Sequence, residues 1–146
     1  MSKTPTGNVP TYAHISNKIS YCEKNWYPVI DKPYHFVKWT APTEIVKAGI
    51  TGKNVTCKTE ISDNRLFKKD LRGGTQLVKW KDHYICLAHE VNLFFNYLKQ
   101  KDGVYRHRLC VFDKDLKLIG VSSEEFSFLD GWIEFSAGAA VKDNNL

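Results

Sequence analysis

The sequence has no long apolar run. None of its hydrophobic stretches approaches the roughly 20 residues that a membrane-spanning helix requires. The N-terminal stretch MSKTPTGNVPTY also lacks the apolar core, flanked by positive charge, that marks a secretory signal. These absences predict a soluble protein of the cytoplasm and no membrane partner.

The spacings typical of metal-ligating cysteines and histidines are missing. The four cysteines are irregularly spaced and form no C-x-x-C pair, which argues against a zinc ribbon or a thioredoxin-like site. The five histidines show no paired ligand spacing either. We therefore expect reduced thiols, no metal site and no cofactor. The residues concerned are Cys22, Cys57, Cys86, Cys110, His14, His35, His83, His89 and His107.

The sequence also lacks a basic run, although its formal net charge is +5. Lysine and arginine are scattered along the chain, and none of the usual nucleic-acid recognition motifs is present. The sequence therefore predicts no nucleic-acid partner. Its charge remains compatible with an anionic small ligand, such as one that carries a phosphate.

Short apolar runs rich in β-branched and aromatic residues, each bounded by turn residues, make up most of the chain. This pattern predicts an all-β fold. We expect residues 1–20 to form a flexible N-terminal segment with a candidate edge strand, and residues 21–146 to form one domain. Four strands fall in residues 23–62 and four in residues 71–124, and residues 132–146 begin a third group. The predicted strands are 25–30, 34–39, 43–47 and 54–61, then 75–80, 83–90, 104–113 and 116–121, then 133–141.

A repeated four-stranded unit favours β-propeller-like antiparallel blades, here two blades and the first strand of a third. Propellers typically have four to eight blades, so this one would be partial. Three explanations stay open: a longer parent chain completes it, several copies assemble, or the two sheets form a sandwich that resembles blades. The first is favoured. The structure of the connection 91–103 is also undecided, because residues 92–100 fit either a short helix or an extended hairpin tip.

Polar residues lie around the start of the first strand and at the end of the second strand of the predicted hairpin 75–90. Because its strands run antiparallel, we expect Arg72, Gln76, His89 and Glu90 to gather at one edge of the sheet. Adjacent strand residues face opposite sides, so His89 and Glu90 should not both enter one site.

Four motifs in order, EKNWYPV, RGGTQLV, YRHRLCVFDKDLKLIGVS and IEFSAGAAV, resemble five-bladed β-propeller domains related to mannoside phosphorylases and glycosidases. The resemblance is greatest to propeller domains associated with glycosyltransferases. In such relatives an acid protonates the glycosidic oxygen and basic residues hold phosphate. The resemblance implies that His89 contacts phosphate and that Arg72 binds an anion or a sugar.

A sugar site needs planar hydrogen-bonding groups, an aromatic platform and, for cleavage, carboxylates. Glu134 and Glu23 are the candidate catalytic carboxylates, while Asn25, Trp26 and Arg106 join Arg72, Gln76 and His89 as candidate substrate-binding residues. Structural roles are the alternatives. Trp26 would pack in the core, Asn25 would cap a turn, and Arg72 would pair with an acid. Arg106 and Arg108 share the strand face opposite Tyr105 and His107, and they would pair with carboxylates on a neighbouring strand.

These observations predict a domain that binds or processes carbohydrate, with an oligosaccharide or sugar phosphate as partner. If it is catalytic, the reaction would be glycosyl transfer or phosphorolysis. The alternative is a non-catalytic module that recognises a glycan or a protein, such as a viral or surface-recognition component.

Overall fold

Eight strands form two four-stranded antiparallel sheets in the computed structural model, which describes residues 25–51, 54–63 and 71–143. Each sheet is a meander, with its strands side by side in chain order. The first sheet contains β1 (Tyr27–Pro28), β2 (His35–Trp39), β3 (Thr43–Thr51) and β4 (Asn54–Asp63). The second contains β5 (Val78–Trp80), β6 (His83–Phe95), β7 (Lys101–Phe112) and β8 (Leu118–Val121). The predicted all-β class and the grouping into four and four strands are confirmed.

Turn chemistry sets the register of the second sheet. Trp80 pairs with His83, so Lys81 and Asp82 form a two-residue hairpin loop in which Lys81 has the positive φ of 55° that such loops require. Between β7 and β8, the Asp113 carboxylate accepts the N–H groups of Asp115 and Lys117, each at 2.9 Å. Both turns are set by local features, a positive φ in one and side-chain hydrogen bonds in the other, and this made them readable from the sequence.

The connection after residue 90 is an extended hairpin. β6 and β7 remain paired in unbroken register from Tyr84 with Phe112 to Phe95 with Lys101. The helix alternative for residues 92–100 is therefore wrong. The run was too short to form a helix without packing against the core, and strand pairing satisfies its backbone instead.

The core lies between the facing surfaces of the two sheets. Tyr27, Val37 and Ile45 are neighbours across the first sheet and are almost fully buried. They belong to the same buried cluster as Cys86 and Phe112 of the second sheet. Cys86 and Cys110 are directly opposite each other on β6 and β7, and both are free thiols.

Two further contacts join the sheets. Val29 and Leu77 form a parallel bridge in which the Leu77 N–H donates to the Pro28 carbonyl at 2.9 Å. The Tyr84 hydroxyl donates to the Asp31 carboxylate at 2.7 Å, and burial together with Asp31 raises the pKa of Tyr84 to about 12. The first strands of the two sheets therefore lie side by side and point the same way.

Residues 126–139, named here the strap, first run beside the edge of β7 and then cross the face of the second sheet that points away from the core. Phe126 forms an antiparallel bridge with His107, and the Trp132 carbonyl accepts the Tyr105 N–H at 2.8 Å. The strand predicted at residues 133–141 is absent, so the third blade-like unit has no strand within the described residues. The strap is held by these two separate backbone contacts and by hydrogen bonds from individual side chains, which together form no continuous strand ladder.

Candidate functional site

A cleft of about 750 Å³ lies between the outer face of the second sheet, the strap and the beginning of β1. Its volume is typical of small-molecule sites, which occupy roughly 300–1,000 Å³. The lining comprises Asn25, Arg72, His89, Val91, Leu93, Lys101, Asp102, Gly103, Tyr105, Ile133 and Phe135. Three of the predicted site residues, Asn25, Arg72 and His89, are thereby brought together.

Arg72 and His89 are fixed relative to one another by their backbones. The Arg72 N–H donates to the His89 carbonyl at 3.2 Å, and the His89 N–H donates to the Arg72 carbonyl at 3.1 Å. Such a pair puts both side chains on the same face of the sheet. The His89 ring is nearly buried and contacts the rings of Tyr105 and Phe135, with centroids 5.9 and 5.3 Å away. His89 therefore forms a wall of the cleft with a fixed orientation.

The guanidinium of Arg72 stacks over the Trp39 ring, with its central carbon 4.6 Å from the ring centroid. Stacking of this kind orients the planar group while it keeps hydrogen-bond donors at its edge. Arg72 therefore brings a positive charge of defined orientation to the cleft.

Glycine is required at positions 73 and 74 because other parts of the chain approach their backbone closely. A Cβ on Gly73 would collide with the Asn25 carbonyl and the Tyr27 ring. A Cβ on Gly74 would collide with the Leu87 carbonyl and lie 3.0 Å from Ser136 Oγ. These glycines let the chain after Arg72 pass between β1 and β6, which places Asn25 beside Arg72.

Glu90 faces the opposite side of the sheet from His89, as its adjacent position predicts. Its carboxylate accepts a 2.6 Å hydrogen bond from Arg108 Nε, and the two side chains are 6 % and 7 % exposed. Arg108 also donates to the carbonyls of Ser122 and Ser123. The alternative that the arginines of β7 pair with a neighbouring carboxylate is therefore confirmed for Arg108.

Two predicted substrate-binding residues hold the strap. The Gln76 amide donates to the Ala139 carbonyl at 2.6 Å and accepts the Ala139 N–H at 3.2 Å. Arg106 donates to the Gly131 carbonyl at 2.7 Å and to the Tyr105 carbonyl at 3.1 Å. These bonds satisfy backbone groups of the strap, and neither residue lines the cleft.

The carboxylate of Glu134 organises the loop that precedes it. It accepts the N–H groups of Phe128, Leu129 and Gly131 at 2.6, 2.9 and 3.1 Å. These bonds, that from Phe128 foremost, lower the pKa of Glu134 below its ordinary value of 4.5. Glu134 is therefore ionised at neutral pH, a state suited to fastening the loop and unsuited to donating a proton.

His107 lies buried beneath the strap, between two of its side chains. Its Nδ1 is 3.3 Å from Ser136 Oγ, and its Nε2 is 3.6 Å from Glu134 Oε2. Burial lowers the pKa of His107 below its ordinary value of 6.5, partly opposed by Glu134 and assisted by Arg106. The neutral imidazole is therefore the form that the folded protein favours.

Trp26 lies away from the cleft, on the outer face of the first sheet. It lines an apolar groove of about 350 Å³, and Lys38 Nζ lies 6.0 Å from its ring centroid. The other lining residues are Tyr34, Phe36, Ala48, Ile50, Val55 and Cys57. Glu23, the other candidate acid, and Cys22 lie outside the described residues.

Sequence reasoning missed Lys101, Asp102 and Tyr105 as cleft residues. Lys101 and Asp102 fell in the connection whose structure was undecided, so no face of a strand could be assigned to them. Tyr105 was assigned to the face opposite the arginines, and the pairing of Val91 with Tyr105 shows that this face lines the cleft. The alternation of β6, extended beyond residue 90, was the sequence signal that could have placed these residues on the cleft face.

Within the part of the chain that the structure describes, no group of three or more His, Cys, Asp or Glu side chains is placed to hold a metal ion. The same part contains no helix long and apolar enough to cross a membrane. Comparisons with protein-family models, with curated proteins and with solved structures find no match. The geometry of the cleft is therefore the main guide to function.

Proposed function

We propose that this protein binds carbohydrate in the cleft, as an oligosaccharide or a sugar phosphate. The observation that carries the proposal is the convergence of Asn25, Arg72 and His89 with the aromatic rings of Tyr105 and Phe135 around one cavity. A pyranose offers an apolar face and a rim of hydroxyl groups. Aromatic rings suit the face, and planar or charged hydrogen-bonding groups suit the rim.

The charge of the cleft favours an anionic group on the sugar. Arg72 and Lys101 contribute positive charge, and Asp102 is the one carboxylate among the lining residues described above. The Asp102 carboxylate accepts the N–H of the next residue, Gly103, at 2.8 Å, so part of its acceptor capacity is used by its own strand. Charge-assisted hydrogen bonds from Arg72 would hold a phosphate with defined geometry.

Binding is proposed in preference to catalysis. Cleavage of a glycosidic bond generally uses two carboxyl groups, one of them protonated at working pH. The Glu134 carboxylate is engaged by three N–H groups of its own loop, and its lowered pKa keeps it ionised. If the chain is catalytic, the resemblance implies glycosyl transfer or phosphorolysis, and Glu23 is the other candidate acid that the sequence offers.

The blade-like interpretation is part of the same proposal. Two meanders whose first strands are joined by the parallel bridge of Val29 and Leu77 would suit neighbouring blades of a propeller. In that arrangement the beginnings of the first strands lie near a shared axis. The position of Asn25 beside Arg72 supports this interpretation.

The test is calorimetric titration of the full chain with three probes: a neutral oligosaccharide, a hexose 1-phosphate and inorganic phosphate. We expect saturable binding of the hexose phosphate, weakened by about ten- to a hundred-fold in Arg72→Gln, because a charge-assisted hydrogen bond contributes about 1.5–3 kcal/mol. The matched control is Lys79→Gln, which removes one positive charge from an exposed position on β5. Binding of none of the probes, or equal losses in both variants, would overturn the proposal.

A further inference from the structure

The turn of the hairpin formed by β6 and β7 displays a cluster of large apolar side chains to solvent. Residues 93–101, named here the tip, include Phe95 and Tyr97, which are 76 % and 93 % exposed. Leu93, Phe94 and Leu98 are exposed as well. Contiguous exposed apolar surface on a soluble domain usually marks an interaction site.

Hydrogen bonds give the tip a defined conformation. Asn96 Oδ1 accepts the N–H groups of Leu98 and Gln100, each at 3.0 Å. The Asn96 N–H donates to the Gln100 carbonyl at 3.0 Å, and the Lys99 N–H donates to the Asn96 carbonyl at 2.8 Å. Tyr97 and Leu98 are therefore held outward by the turn itself.

Apolar groups occupy both faces of the hairpin at the tip. Leu93 and Phe95 share one face because strand side chains alternate, and Phe94 lies on the other. On that second face, Phe94 packs edge-on against Trp132 of the strap, with ring centroids 5.9 Å apart, and Trp132 is itself 61 % exposed. Tyr97 and Leu98 cap the end. The flat surface of one protein partner would cover one face, whereas a fluid apolar layer would surround the tip.

Positive charge borders the apolar cluster. Lys99 is exposed within the turn, and Lys101 is exposed at the beginning of β7, opposite Phe95. Aromatic residues prefer the boundary between lipid headgroups and acyl chains, and lysines beside them attract anionic headgroups. The two lysines therefore lie beside the apolar side chains of the tip, where they would meet anionic headgroups as those side chains enter a leaflet.

We propose that the tip inserts into the interfacial layer of an anionic lipid membrane. This departs from the sequence-based expectation of no membrane partner, which depended on the absence of a spanning segment. An interfacial contact requires only an exposed apolar group with flanking positive charge. The proposal does not depend on carbohydrate binding.

The test is flotation of the full chain with large unilamellar vesicles of phosphatidylcholine and phosphatidylserine (3:1) and with phosphatidylcholine vesicles. We expect wild-type protein to float with the anionic vesicles. Phe95→Ser combined with Leu98→Ser should weaken that binding at least about ten-fold, because two apolar side chains that the membrane would bury are lost. Lys99→Gln should weaken binding to the anionic vesicles alone, by about five-fold, which corresponds to about 1 kcal/mol per basic residue.

Ile30→Ser combined with Ile119→Ser is the matched control. It removes two exposed apolar side chains, 60 % and 47 % exposed, outside the tip. The control should float like wild type, and circular dichroism should show all variants folded. The proposal is overturned if wild-type protein floats with neither vesicle or if the control loses as much binding as the tip variant. It is also overturned if light scattering shows an oligomer that the tip variant dissociates while vesicle binding is unchanged, because the partner would then be a second copy.

Discussion

Glu134 Oε2 lies 3.6 Å from His107 Nε2, so a carboxylate that fastens the strap faces a buried imidazole of β7. The same imidazole approaches Ser136 through its other ring nitrogen. These three side chains connect the strap to the second sheet directly behind the cleft, whose wall includes Ile133 and Phe135 of the strap.

Glu134→Gln should loosen the loop that the carboxylate organises, because a neutral amide is a weaker acceptor for three N–H groups. We expect faster hydrogen exchange at the amides of Phe128, Leu129 and Gly131, measured by NMR at pH 7. Since the folded-state pKa of Glu134 is lowered, its contribution to stability is full above pH 4.5 and is lost as the pH falls through the lowered pKa. Unchanged exchange at these amides would contradict the role assigned to Glu134.

His107→Asn should alter how stability depends on pH. The folded-state pKa of His107 is lowered, so its contribution is fully present above pH 6.5 and is lost as the pH falls from 6.5 through the lowered pKa. Urea denaturation between pH 5 and pH 8 should show this loss in wild type and in the control His83→Asn. A His107→Asn profile that keeps the whole decline would show that another group is responsible.

Glu90→Gln should be strongly destabilising. Removing one partner of a buried ion pair leaves an uncompensated charge and typically costs about 3–5 kcal/mol. Arg108 would be that charge, since its side chain is 7 % exposed and its other carboxylate neighbour, Glu125, is 4.0 Å away and 37 % exposed. The control Glu60→Gln removes a carboxylate that is 39 % exposed and contacts His35, for which we expect about 0–1 kcal/mol. Equal costs in chemical denaturation would contradict the buried pairing of Glu90 with Arg108.

Gly73→Ala should destabilise the fold by about 1–3 kcal/mol, because an added methyl group collides with the Asn25 carbonyl and the Tyr27 ring. Gly120→Ala is the control, since a Cβ there meets only Val111, at an ordinary 3.9 Å. We expect that control to change stability by less than about 1 kcal/mol. Thermal unfolding of the two variants makes the comparison.

Much of the fold could be predicted because its signals are local. Alternating apolar residues and turn residues indicated the strands, and the loop at Lys81 and Asp82 was readable as a hairpin. The length of β6 beyond residue 90 could not be predicted, because the exposed apolar residues there fit both a helical and an extended pattern. A strand was predicted at residues 133–141 because they are small or apolar like the first strands of the other two units. In the structure the backbone of Ala139 is instead bound by the Gln76 side-chain amide.

The candidate site was predictable in part for the same reason. Arg72 and His89 could be placed together because antiparallel pairing brings the ends of one hairpin to one edge. Arg106, Gln76 and Glu134 were expected to contact substrate, and the structure shows them bound to backbone groups of the strap and its loop. A polar side chain looks the same in sequence whether it binds a ligand or the protein's own backbone.

The most direct test of the proposed function is NMR mapping of backbone amide shifts during titration with a hexose 1-phosphate. Binding in the cleft predicts saturable shifts that cluster at Asn25, Arg72, His89 and Tyr105. Residues of the apolar groove around Trp26 should stay unchanged. Shifts confined to that groove, or no saturable shifts, would contradict a carbohydrate site in the cleft.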